Sequence, residues 1–285
     1  MKPTIYQSTD PNAPILNEKN GSLNIVLKAC LVTGYGDKQG AGWQILKDDK
    51  DTHKLVINSP NPKSSHHVLS VTDVQNSAKV IASKGWDNQI IGKYHEGYFI
   101  KNFDYTGSHY WIIIATDQFF YLWIQTELNS NYMGVLYGFG DVISLWQDKN
   151  YSALMCNSDT SYTHDNTGHA SIMTSEGLAY FPNGLFAGFS NYWGDRSLDR
   201  YRYDSRLAMF TKLFLRMTRG DTSEPAIELP GMLMPYSEIW GYQSKGHLQY
   251  LQNQAPFANP VVGLYQPWHG RVWIQTDDWS ESNVF

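Results

Sequence analysis

Histidine and cysteine are the residues here best suited to metal or proton chemistry. His164 and His169 flank Asp165, and Cys156 lies eight residues upstream of His164. A zinc or iron site could be drawn from these ligands, but their spacing matches no common ligand pattern, and the segment reads as a solvent loop. Asp48, Asp49 and Asp51 suggest a calcium loop, yet the glycine and terminal glutamate of such a loop are missing, so they read as a solvated turn. His66 and His67 are adjacent, diverge if the segment is a strand, and read as surface. A glycosidase needs two carboxylates about 5 to 9 Å apart at sheet ends. Glu96, Glu127, Asp141 and Glu176 stand in suitable places, with Trp and Tyr available as sugar platforms, but nothing selects a pair. No Gly-x-Ser-x-Gly elbow, phosphate loop or dinucleotide fingerprint is present. The reading is therefore non-enzymatic, with no catalytic, cofactor-binding or metal-binding residue assigned and no cofactor or metal expected.

The elements that would position any site begin with Asn20–Trp43. Leu23, Val26, Leu27 and Cys30 fall on one stripe of a 3.6-residue period, which predicts a helix buried along that stripe. Asn20 or Ser22 is expected to cap its start and Gly34, in a left-handed conformation, to close its end. Gly36, Gly40 and Gly42 then keep the loop free of bulk until Trp43, whose indole is expected to fold back over the stripe. Gly34, Tyr35, Gly36, Gly42 and Trp43 are thus the structural residues of this stretch.

The words Tyr6, Asp10-Pro11, Ala13-Pro14, Gly21-Ser22-Leu23, Leu31-Val32-x-Gly34-Tyr35-Gly36-x-Lys38 and Gly42-Trp43 resemble the opening of uncharacterised proteins encoded among the structural genes of tailed bacteriophages and prophages. Weaker similarity continues through Ala78–Trp86, Trp111–Tyr121, Phe139-Gly140-Asp141 and Pro230-Gly231-Met232. The resemblance implies a role in the virion or its assembly and brings no catalytic residues with it. The expected partners are other virion proteins and further copies of the chain in a symmetric homo-oligomer. Tail, neck or baseplate is favoured over head decoration.

Composition agrees with a contact-forming β protein. The chain has 285 residues, with 17% charged residues against about 25% in average proteins, and 14% aromatic, including 19 Tyr and 10 Trp. Rigid amphipathic rings suit sheets and protein contacts. A net charge of −5 with no basic face argues against nucleic acid as the main partner, since Arg196 to Arg219 are interleaved with Asp195, Asp199, Asp204 and Asp221. Two cysteines, Cys30 and Cys156, make no disulfide framework. The first ten residues lack the apolar core of a signal peptide, and Tyr110–Ile124 is interrupted by Thr116-Asp117-Gln118, so no membrane partner is expected. Synthesis in the host bacterial cytoplasm and residence in the virion follow as expectations.

Along the chain, residues 1–19 carry prolines at 3, 11 and 14 and read as an extended arm. Thr72 and Gln75 have capping-box spacing, and Val74, Ala78 and Ile81 the apolar face, of a second short helix stopped by Gly85. His109–Ala115 and Phe119–Thr126 are apolar at nearly every position, which predicts a hairpin covered on both faces. From 157 the composition turns to Asn, Ser, Gly, Asp and Tyr. The fold class is mainly β, with β-sandwich or barrel-like sheets and two short α-helices near the N-terminus. The organisation is an arm (1–19), a β-rich domain (20–156), a loop-rich excursion (157–205) and a β-rich C-terminal part (206–285) on the same core. Tyr180, Tyr192, Trp193 and Tyr201 are the interface candidates of the excursion; the same rings support an alternative reading as a carbohydrate- or receptor-binding module, with a glycan hydrolase further behind.

Overall fold

The computed structural model describes residues 2–101, 107–125, 134–144 and 151–157 without a break, and beyond them strands and short segments between 171 and 279. The chain is mainly β, as its aromatic and β-branched runs favour. Strand β1 (Thr4–Gln7) leads to α1 (Ser22–Lys28), the one α-helix among the described residues, which widens into a π-helical turn over Ala29–Thr33. Its stripe is buried as expected: Leu23, Val26, Leu27 and Cys30 are all fully enclosed.

Both ends of the helix differ from the expectation. Gly21, at φ 79°, occupies the N-cap and has no side chain to offer. The Leu23 N–H is taken instead by the carboxylate of Asp73, Oδ2 at 2.7 Å, fifty residues on. Ser22 turns its hydroxyl to Asn17 O at 2.6 Å. At the other end Gly34 has φ 79° and ψ 171°, a region essentially reserved for glycine and distinct from the left-handed helical well. A Cβ there would meet Lys38 O at 2.3 Å, so the residue is set both by its dihedral and by the loop crossing over it.

The five-stranded sheet follows, in the order β2 (Gln44–Asp49), β3 (Lys54–Asn58), β4 (Val68–Val74), β5 (Ser77–Trp86), β6 (Ile90–Ile100). The second helix expected from Thr72 onward is absent: β4 turns at Gln75-Asn76 straight into β5. Val74, Ala78 and Ile81 satisfy a helical period, but Ala78, Val80 and Ala82 satisfy a period of two, and it is these three that are fully buried. Pairing to β4 on one side and β6 on the other settles the ambiguity in favour of the strand.

The second sheet has twelve strands. Its path runs from β1 through β7 (Trp111–Ala115), β8 (Phe119–Gln125), β9 (Gly134–Ser144), β10 (Tyr151–Cys156), β11 (Ser171–Thr174) and β12 (Gly177–Phe181), with β13 (Gly184–Leu185) beside β12. Strands β14 (Leu207–Ala208) and β17 (Leu248–Gln249) pair separately, while β15 (Phe210–Arg219), β16 (Thr222–Pro235), β19 (Gly270–Gln275) and β18 (Val261–Gln266) complete the path. Strand β16 also meets the end of β9, through Ile227 opposite Ser144 and Glu228 opposite Ile143, so the sheet curls until its pairings form a circuit. Gly140 (φ 139°) admits no side chain, since a Cβ there would lie 2.1 Å from Gln118 O.

Strand β8 is buried at all seven positions because it has a core on each side. Phe120, Leu122 and Ile124 enter one shared by α1, the five-stranded sheet and Trp43; Phe119, Tyr121 and Trp123 enter another with Ile227, Leu229, Met232, Ile274 and Trp279. Strands on either side of residue 157 therefore share a sheet and a core.

Part of the outer face of the five-stranded sheet is also covered, while Lys79 and Glu96 on that face stay exposed. Val56, Val68, Ser70 and Ser83 alternate out of the inner core yet are buried. Lys54 lies in register with Thr72 and, through it, Lys79, seven residues before Trp86 on β5. A straight strand would separate those rows by about 23 Å, but Lys54 Nζ stands 5.2 Å from the Trp86 ring centroid. The β5–β6 ribbon therefore bends back over its own sheet, and the register shift between Ala82 and Ser83 marks the bend.

Candidate functional site

The sequence words of the opening stretch come together in space. Strand β1 pairs antiparallel with β7, Tyr6 opposite Ile113, which brings the arm against the glycine loop. Asp10 Oδ2 then accepts three hydrogen bonds, from Lys38 Nζ at 2.6 Å, Tyr35 OH at 2.7 Å and the Gln7 N–H at 2.9 Å. Lys38 also donates to Ile5 O at 2.7 Å, and Tyr6 OH to Gln39 O at 2.6 Å. Gly36 closes the clasp, for a Cβ there would lie 2.9 Å from Pro11 O. Gly42, at φ 96°, lets the chain pass Asp117. Trp43 is 4% exposed. Its indole shares one core with the helix stripe, packs edge-on to Phe120 at 5.5 Å and against Phe139 at 6.0 Å, and donates from Nε1 to Thr116 O at 2.8 Å. A backbone bond also ties it to the helical segment, Trp43 N–H to Leu31 O at 2.9 Å.

The electrostatics of this clasp favour holding over reacting. Burial pulls the Asp10 carboxyl upward, but the hydrogen bonds from Lys38, Tyr35 and Gln7 outweigh it and keep it below the usual carboxylate range. Burial, and after it the bond to Asp10, pushes the Tyr35 phenol well up. Tyr6 is raised to about 12, chiefly by burial, and burial also raises the Cys30 thiol. Phenols and thiol stay protonated near neutrality, so none of the three is a poised nucleophile.

A second polar cluster lies where the two sheets meet. Ser152 Oγ on β10 shares hydrogen bonds with His67 Nδ1 at 2.6 Å and with Tyr94 OH on β6. Ser65 donates to Asp141 Oδ1, and the Ser65 N–H to Asp141 Oδ2 at 2.9 Å. Serine, histidine and aspartate are all present, but Ser152 is fully buried and Asp141 is bonded to Ser65. The cluster can carry a proton between side chains; its serine has no face toward a substrate. His67, expected at the surface, is half-buried and tied into this seam, whereas His66 is exposed. The run Ser64-Ser65-His66-His67, four hydrogen-bonding side chains at a strand start, is the signal that could have pointed there.

Other expected residues fall elsewhere. Asp49 Oδ1 accepts from the N–H groups of Asp51 and Thr52, and its other oxygen pairs with Lys47 at 3.2 Å, so this carboxylate is occupied within its own turn. Glu96 sits between Lys93 and Lys79 at 3.1 and 3.5 Å on an exposed face. Tyr180 lies in β12, its backbone opposite Leu185 on one side and Arg216 on the other. Tyr192, Trp193, Tyr201, His164, Asp165, His169, Glu127 and Glu176 lie outside the described residues. Among the described residues no three His, Cys, Asp or Glu side chains gather as a metal site would require. No protein-family model matches the chain, and no curated protein matches it.

Proposed function

We propose that the chain is a non-enzymatic structural or accessory component of a tailed-phage virion, with a barrel-like curl of the larger sheet as its rigid body. It acts through contacts with copies of itself and with other virion proteins. The observation that supports this is the use made of the clasp. Tyr6, Asp10, Tyr35, Gly36, Lys38, Gly42 and Trp43, the residues that carry the phage resemblance, are spent on fixing the arm and the glycine loop to the core. Residues that resemble a family through architecture suit a protein whose task is to keep a shape under load.

The test is to purify particles from a host carrying the gene, count this chain by quantitative mass spectrometry, and locate it in a reconstruction of the particle. A copy number that repeats the symmetry of tail, neck or baseplate is expected. Absence from purified particles overturns the proposal, and specific binding of purified protein to a glycan array in that case favours the carbohydrate-binding alternative.

A further inference from the structure

The most enclosed charges of the described chain lie beneath the start of α1. Lys101 Nζ stands 2.7 Å from Asp73 Oδ1, and both side chains are 0% exposed. Two further acceptors surround the amine, Lys19 O at 2.6 Å and Ser22 Oγ at 3.1 Å. The second carboxylate oxygen, Oδ2, holds the Leu23 N–H at 2.7 Å.

We propose that Lys101 and Asp73 form a self-ligating pair, in which Nζ condenses with Cγ to give an intramolecular isopeptide amide. This inference stands on the buried pair alone and does not depend on the virion role.

The chemistry balances without any other reactant. Two opposite charges whose side chains are 0% exposed can become two neutral groups by passing one proton from the ammonium to Asp73 Oδ1. Burial also lowers the Lys101 pKa, against the opposing pull of the Asp73 hydrogen bond and charge and of Glu18. The neutral amine keeps two protons, for which Lys19 O and Ser22 Oγ are the acceptors, and its lone pair is left for Asp73. Attack on Cγ forms the C–N bond and places negative charge on Oδ2, where the Leu23 N–H already points, as in an oxyanion hole. One amine proton passes to Oδ1, the carboxylate oxygen 2.7 Å from Nζ in the starting pair, the Cγ–Oδ1 bond breaks, and water leaves. Lysine amine plus aspartic acid becomes one amide plus one water, with nothing oxidised or reduced. The product would fasten the end of β4 to the residue following β6.

Intact mass spectrometry of the full chain under denaturing conditions tests this without any mutation. The expected mass is that of the sequence less one water, and proteolysis should yield the Asp73 peptide joined to the Lys101 peptide. The full sequence mass after prolonged incubation of folded protein overturns the proposal. So does loss of water with the two peptides separate, which a succinimide would produce. Lys101→Arg keeps a cation opposite Asp73 and should return the mass to that of its own sequence.

Discussion

Phe120, Leu122 and Ile124 of β8 enter a core whose members all lie between Tyr6 and Cys156, whereas Phe119, Tyr121 and Trp123 of the same strand enter one that needs Ile227, Leu229, Met232, Ile274 and Trp279. The first core is enclosed by several independent walls: the helix, the inner face of the five-stranded sheet and the Trp43 indole. The second takes part of its cover from residues that arrive more than seventy positions after β10 ends at Cys156. Two cores that share a strand are mechanically coupled, but damage to the late walls should spare the early ones more than the reverse.

The largest effect is expected where the first core is opened. Trp43→Ala removes a buried indole and its bond to Thr116 O, and should cost about 3 to 5 kcal/mol of unfolding free energy. Gly34→Val should be at least as damaging, because the added Cβ meets the Lys38 carbonyl at 2.3 Å. Denaturant melts of both variants check this, and an unchanged midpoint for Trp43→Ala would break the comparison outright.

Trp279→Ala sharpens it. That ring covers Tyr121 edge-on at 5.8 Å and fills the space over Gly231, and its loss should cost about 3 kcal/mol. Hydrogen exchange should show amides of β8 to β10 less protected while β3 to β5 keep theirs. Uniform loss across both sheets would mean that the cores melt as one.

A smaller effect is expected from Tyr121→Phe, which keeps the ring and deletes the hydroxyl bonded to Pro230 O at 2.9 Å. The carbonyl loses this partner, and about 1 kcal/mol of stability should go with it.

The smallest effect is titration. Burial holds the imidazoles of His95 and His109 below the ordinary histidine range. The unfolded chain then takes up protons first as pH falls, so their contribution is complete above about 6.5 and drains below it. The thermal midpoint should start to drop just under that pH, ahead of the carboxylate range, and His95→Gln should flatten the slope. An equal slope in the variant would assign the titration elsewhere.

Sequence periodicity showed the first core more fully than the second. The stripe Leu23, Val26, Leu27, Cys30 and the uniformly apolar β8 carry strong local patterns, and both are buried as those patterns require. The stretch Thr72–Gly85 failed because alanine and valine spaced by two can also be counted at helical spacing, and the deciding hydrogen bonds come from β6, which begins beyond Trp86. The cap on α1 was illegible for a related reason: Asp73 serves it from another element, and no local rule joins residues fifty apart. Of the clasp, the residue types and glycines could be read, while their meeting through Asp10 depends on β1 reaching β7. The seam through Ser152 and His67 is marked in the sequence only on its Ser64–His67 side, since single polar residues on two different sheets share no period.

The pairing of β1 with β7 has a consequence for the order in which the protein is made. Thr4 to Gln7 find their partners at Ala115 to Ile112, more than a hundred residues downstream. At roughly 5 to 20 residues per second, the arm leaves the ribosome several seconds before the strand it joins. During that interval Tyr6 has no core to enter. The α1 segment and the five-stranded sheet can gather first through their own local contacts, and the hairpin β7–β8 then supplies the floor on which they rest. Only at that step can the clasp at Asp10 and Lys38 close, so β1, which precedes its partner by more than a hundred residues, is among the later strands of this half to be locked in place.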